Sequence, residues 1–253
     1  MILEFGIFIF LIFAGIVAGI VSVVSSMASL VSYPALLMVG VSPVYANMTN
    51  TAALIFTGGG AALSSLKEIK ATWRKYLWIL GLAMAGALCG SLLLTAFPGK
   101  VFEKLVPFFV LLSALLFLLS NDKNAYKREQ LTGVKKLAAY FGIFLSGLYT
   151  GYFGAAAGVL LLFVLTKVTD DDFIVQNAFK NVIGSLGNLI ALLVFVFTSK
   201  VYWNRAIPLA IGLFIGGYLG QKLIHYLPIK AVKWITFVFA IFLALYLGYQ
   251  AYM

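Results

Sequence analysis

Along the chain, apolar runs of about twenty residues alternate with short polar breaks. "FGIFIFLIFAGIVAGIVSVV" lies near the start and "WITFVFAIFLALYLGYQAYM" near the end, each reaching the ~20 apolar residues that carry a helix across a ~30 Å hydrocarbon core. The in-and-out alternation of a membrane barrel is absent, so the runs are helical. The breaks predict eight crossings, at 3–31, 44–66, 76–97, 103–120, 138–166, 173–198, 205–225 and 230–251. The first and fifth are too long for one straight span at ~1.5 Å per residue. Small and helix-breaking residues interrupt both, "SVVSSMASLVSYP" in the first and "GLYTGYFGAAAG" in the fifth. Each is expected to be two half-helices joined by an irregular turn.

The second half of the chain echoes the first. At an offset of 130, Lys70 falls on Lys200, Trp73 on Trp203, Gly86 on Gly216, Gly90 on Gly220, Pro98 on Pro228, Lys100 on Lys230 and Asn47 on Asn177. Upstream the offset becomes 132, pairing Gly15 with Gly147 and Gly19 with Gly151. The chain therefore divides into a repeat at 1–120, a basic linker at 121–137 and a second repeat at 138–253. Four crossings per half predict parallel repeats about an axis along the membrane normal. Re-entrant rather than spanning breaks would change that orientation. Repeats with interrupted helices build transport sites near mid-membrane. The glycine pairs Gly86/Gly90 and Gly216/Gly220 suit close helix packing and need no further role.

Composition agrees with lipid as the solvent. Of 253 residues, 63% are hydrophobic and only 10% charged, well below the quarter that wets a soluble domain. The N-terminal "MILEFGIFIF" reads as a retained first helix, without the basic residues or cleavage pattern of a secretory signal. The formal charge of +10 sits in short loops, where it sets membrane orientation and touches anionic headgroups; no nucleic-acid motif accompanies it. Grouped by the eight crossings, eleven basic residues fall on one side, in "KEIKATWRK", "NDKNAYKREQLTGVKK" and Lys200 with Arg205. Six fall on the other, with Asp170–Asp172. By the positive-inside tendency both termini are then cytoplasmic, in a multi-pass protein of the cell membrane.

The lone Cys89 allows no internal disulfide or cysteine metal cluster, and the lone His225 reads as interfacial. No cofactor is called for. Self-association into a homo-oligomer is left open.

Candidate chemistry lies in "NAFKNVIGSLGN", Asn177 to Asn188. Lys180 would sit seven residues into the sixth crossing, ~10 Å along its axis. It either snorkels to an interface or faces a wet cavity. Asn177, Asn181 and Asn188 recur at helical spacing, and the first-half counterpart carries Asn47, Asn50 and Thr51. These amides and hydroxyls either bridge helices or line a cavity shared between the repeats. At the breaks, Ser25, Ser26 and Ser29 can donate hydroxyls, or simply form turns, and Gly154 can present backbone N–H. Helix N-termini, amides, hydroxyls and an ammonium together suit an oxyanion. Every carboxylate lies in a loop or near a span end, so a mid-membrane carboxylate relay for protons is not expected.

The run "GIVAG…SSMASLVSYPALLMVGVSPVYANMTNTAALIF", with "GLYTGYFGAAAGVLLL" as its second-half counterpart, resembles the sulfite exporter TauE/SafE family of membrane permeases. The matching "G-x-x-P-x-x-A-x-x-T" residues are Gly40, Pro43, Ala46 and Thr49, after Pro34. "SSMAS" departs from the family's commoner "G-x-G-G-G" stretch. The resemblance implies a secondary transporter of small sulfur-containing anions such as sulfite or an organosulfonate, with the site between the repeats and alternating access. The alternatives are an anion channel and a non-transporting membrane scaffold. An intramembrane enzyme lacks an embedded catalytic set.

Overall fold

The computed structural model describes residues 2–25, 27–64, 66–97, 99–119, 133–155, 157–223 and 229–253. Ser26, most of the basic linker and His225 lie outside these. The described residues are helical throughout, without a strand: α1 (Ile2–Ser25), α2 (Ser29–Met38), α3 (Pro43–Ser64), α4 (Leu66–Ala96), α5 (Gly99–Leu119), α6 (Gly133–Tyr152), α7 (Ala157–Val168), α8 (Phe173–Thr198), α9 (Trp203–Leu223) and α10 (Ile229–Tyr252). Helices are the outcome expected in lipid, where every backbone polar group must find its partner within the segment. Among the described residues, three stretches are long and apolar enough to cross by length and composition alone, Leu3–Ser22, Thr72–Ala96 and Val175–Thr198. Phe13, Phe197 and Phe242 stand exposed on the outer faces of α1, α8 and α10, as a lipid-facing surface requires.

Both expected breaks occur, between α1 and α2 and between α6 and α7. Their geometry differs from a single interrupted crossing. α7 folds back along α6, so that Gly142 meets the Val164 side chain. Ile143, Leu161 and Leu165 then share one apolar cluster with Tyr76 and Phe179. The first segment behaves likewise. Arg205, at the start of α9, holds Glu4 near the start of α1 through a two-pronged ion pair, at 2.6 and 2.9 Å. The adjoining Tyr202 packs its ring on Tyr45 and donates its backbone N–H to Thr49, both in the first turns of α3. The entry to α1 and the exit from α2 therefore lie at the same face. Each broken segment is a hairpin that returns to the side it came from.

Helix directions follow from the close contacts. α1 runs alongside α9 in the same sense, Gly15 against Leu209 and Gly212, and Gly19 against Leu213 and Gly216. α6 runs with α4, Gly147 against Ala83 and Gly151 against Ala87. At these crossings a Cβ would overlap the neighbouring carbonyl, so glycine is what lets the backbones meet. α5 and α10, counterparts by sequence offset, run in opposite senses: Tyr252 bonds the Lys104 carbonyl at 3.1 Å, while Gly248 rests on Pro107. An axis along the membrane normal would make counterparts run the same way. The expected parallel orientation is thus corrected, and the reason is that each half holds a returning hairpin plus three long helices, an odd number of passages.

The charge grouping changes with it. Lys75 pairs with Asp171 at 3.0 Å, although the eight-crossing reading set "KEIKATWRK" and the aspartates on opposite sides. Lys200 and Arg205 lie at the other end, with Glu4. The basis for cytoplasmic termini is lost.

Candidate functional site

A cavity of about 100 Å³ lies between the two hairpins, several times the ~10–15 Å³ that admits one water. Its walls come from both halves of the chain: Ser22, Ala28 and Ser29 of the first hairpin, Thr150, Gly154, Ala157 and Gly158 of the second, and the crossing of α3 with α8. At that crossing the Ser185 hydroxyl donates to the Ile55 carbonyl at 2.9 Å.

Two helices begin at this cavity, α2 at Ser29 and α7 at Ala157. A helix N-terminus directs unsatisfied N–H groups outward along its axis and carries a partial positive charge. Two such ends converge on one small volume. Lys180, only 5% exposed, lines the same space, with Asn181, Gly184, Ser185 and Asn188 along one face of α8. Among the described residues, no aspartate or glutamate lines it. The N-terminal ends of α2 and α7 and the Lys180 ammonium bring positive charge, the last turns of α1 and α6, at Ser22 and Thr150, bring carbonyl ends of the opposite sign, and the polar groups include hydrogen-bond donors. Such a site can hold an anion without covalent or metal chemistry. Among the described residues no group of three or more His, Cys, Asp or Glu comes together.

The turn before α7 depends on Gly154, whose φ of +75° lies in the left-handed region that side chains with a Cβ disfavour. Its N–H and that of Phe153 both bond to the Tyr149 carbonyl, at 2.8 and 2.9 Å. This closes the C-terminal end of α6 and turns the chain back towards α7. The tip is held from beneath by rings: Phe109 packs on Tyr149, Tyr152 and Phe153, and Tyr33 meets Phe153 edge-on.

Of the residues singled out in the sequence, Ser29, Gly154, Lys180, Asn181 and Asn188 line the cavity, but the Gly154 N–H, expected to be presented to an anion, is bonded to the Tyr149 carbonyl because it closes the end of α6. Asn47, Asn50 and Thr51 are buried behind it. Asn47 donates to the Tyr152 carbonyl at 2.8 Å, tying α3 to the second hairpin. Asn50 is bonded to Ser29 and Ser32, and Thr51 bonds back to the Asn47 carbonyl. Asn177 is half-buried and is not a lining residue. Ser26 and the side chain of Ser25 fall outside the described residues. Ser22, Thr57, Thr150 and Ser185 are further polar residues of the wall that the sequence reading does not single out. Ser185 was legible, one turn beyond Asn181 on the same face; Ser22 and Thr150 precede the breaks, and no local signal marks them. Thr57 is 7% exposed, and its hydroxyl makes no hydrogen bond among the described residues.

A family model described as "Sulfite exporter TauE/SafE" matches residues 11–247, and the chain belongs to that family. It is 26% identical over 244 residues to "Probable membrane transporter protein ORF9" of Sinorhizobium sp, covering 96% of this chain and 93% of the other. It is 25% identical over 213 residues to a "Probable membrane transporter protein" of Haemophilus influenzae, covering 83% and 82%. Against "Probable membrane transporter protein YfcA" of Escherichia coli K12 it is 26% identical over 220 residues, covering 85% and 79%. No solved structure matches the chain.

Proposed function

We propose that this TauE/SafE-family protein is a membrane transporter that moves a small oxyanion, sulfite or a related sulfur-containing anion, through the cavity between its two hairpins. The family and the names of its relatives support transport. One observation carries the anion reading: two helix N-termini and the buried Lys180 converge on a cavity with no carboxylate in its wall among the described residues. An anion entering it exchanges its hydration for fixed donors, which limits the cost of removing charge from water.

In this reading the halves are inverted repeats, each a hairpin and three long helices, related by an axis in the membrane plane. The support is the antiparallel α5–α10 pair and the reciprocal pairing of α1 with α9 and α6 with α4. Inverted repeats suit alternating access, because exchanging the conformations of the two halves turns a site open to one face into one open to the other. Lys70, Arg74, Lys75, Lys135, Lys136 and Lys167 gather at the face of Asp171, against Lys100, Lys104, Lys200 and Arg205 at the face of Glu4 and Tyr252. The positive-inside tendency then makes the first face cytoplasmic and sets both termini outside.

The test is flux of radiolabelled sulfite into proteoliposomes. The wild-type protein should show saturable uptake, and Lys180→Ala should lose most of it while reaching the membrane in normal amount. Wild-type uptake no faster than in empty vesicles would sink the sulfite assignment; undiminished flux in the variant would remove Lys180 from the site.

A further inference from the structure

Positions 50 and 180 are counterparts at the 130-residue offset, and each stands beside the N-terminus of a hairpin's second helix. The second-half position holds the lysine that lines the cavity. The first-half position holds an asparagine that is 1% exposed and stands behind the wall. Among the described residues, its side-chain bonds are directed at one helical turn. Its Nδ2 donates to Ser29 Oγ at 3.1 Å. Its Oδ1 lies 2.6 Å from the Ser32 hydroxyl, which shares its proton with the Ala28 carbonyl at 2.9 Å. Ala28 and Ser29 are the residues through which α2 reaches the cavity.

That turn needs such support. Ala28, the residue at the cap position, supplies no side-chain bond to the helix end. The turn is held by tight bonds from Leu30 N–H to the Met27 carbonyl and from Val31 N–H to the Ala28 carbonyl, both 3.0 Å. Ala28 and Ser29, whose amides precede these bonded ones, are the residues of the turn that line the cavity. Their direction is set by how rigidly Ala28–Ser32 is seated against α3, and the only side chain on α3 bonded to that stretch, among the described residues, is Asn50.

We infer that Asn50 is a positioning residue for the anion site: by clasping Ser29 and Ser32 it aims the N-terminal amides of α2 into the cavity. The inference rests on the anion-transport reading, and it divides the work between counterpart positions. One half contributes charge directly through Lys180, and the other contributes a fixed helix end through Asn50. A second clasp of this kind at position 180 would have buried the cation's place in the wall.

The experiment compares wild-type protein with Asn50→Ala, and with Ser32→Ala, which leaves the asparagine and most of the packing in place. Hydrogen–deuterium exchange on the purified protein reads the aim of the helix end without any substrate. Both variants should speed exchange across Ala28–Ser32 and leave Gly158–Leu161 of α7 unchanged. Sulfite flux should show KM raised about tenfold in Asn50→Ala, the scale of two lost hydrogen bonds, with kcat close to wild type. Unchanged exchange at Ala28–Ser32 in Ser32→Ala, or a fall in kcat at constant KM in Asn50→Ala, overturns the inference. If wild-type protein moves no sulfite, the functional reading fails by itself, and the exchange measurement still decides whether Asn50 holds the turn.

Discussion

Ser185 donates its hydroxyl to the Ile55 carbonyl at 2.9 Å across a separation of 130 residues, the same interval that sets Trp73 on Trp203 and Gly86 on Gly216. A residue bonded to its own counterpart must lie near any two-fold axis relating the halves. The cavity wall includes Ser185, so the proposed site adjoins that axis. Gly58 packs on Ser185 and the Asn181 carbonyl beside it, and this crossing of α3 and α8 is one joint between the two halves, in addition to those of α1 with α9 and α4 with α6.

Gly58→Ala should loosen that joint. A Cβ there would overlap the Ser185 side chain, and overpacking of this kind costs about 1–3 kcal/mol. Gly81→Ala is the control, with nothing within 4 Å of its Cβ. Thermal denaturation in detergent should show a lowered Tm for the first and none for the second; equal Tm values would mean that α3 and α8 do not pack this way.

Gly154→Ala tests the hairpin tip. The residue must adopt φ +75°, at a cost of roughly 1–2 kcal/mol for a residue with a Cβ. The new methyl group would also press on the Thr150 carbonyl at 3.1 Å. We expect normal membrane insertion with weakened sulfite uptake. Uptake equal to wild type would separate the turn from the transport site.

The Lys75–Asp171 pair should be unequal under mutation. Lys75 is 62% exposed and its loss should cost under ~1 kcal/mol. Asp171 is 11% exposed, and it also accepts the Tyr76 hydroxyl at 3.1 Å, so Asp171→Ala should cost about 1–3 kcal/mol. Chemical denaturation of the single variants checks the order, and a reversed order would contradict the burial of the aspartate.

Both termini are expected outside the cytoplasm. Alkaline phosphatase fused after Met253 should be active and green fluorescent protein at the same point dark. The opposite pair of signals would return the face of Lys75 and Asp171 to the exterior and rule out the orientation proposed from the charges.

The residues of this chain determine a helical membrane protein by themselves, because composition and run length suffice where lipid demands that each segment satisfy its own backbone. They also determine where helices fail, since glycine, serine and proline act on the turn in which they stand; both breaks fell where the sequence put them. The family was legible for the same local reason, in motif residues and their spacing. The path after each break was not. Whether a helix resumes its course or folds back is decided by surfaces far away in the chain, such as Val164 waiting for Gly142, or Tyr202 holding the first turns of α3 beside the entry to α1. Nothing local to "SSMAS" carries that information. The polar residues divide in the same way. Asn50 and Asn181 are the same side chain at similar helical depth, yet one clasps Ser29 and Ser32 while the other lines the cavity. Spacing along a helix sets which residues share a face; only the neighbour packed against that face decides whether the face meets a partner or an open space.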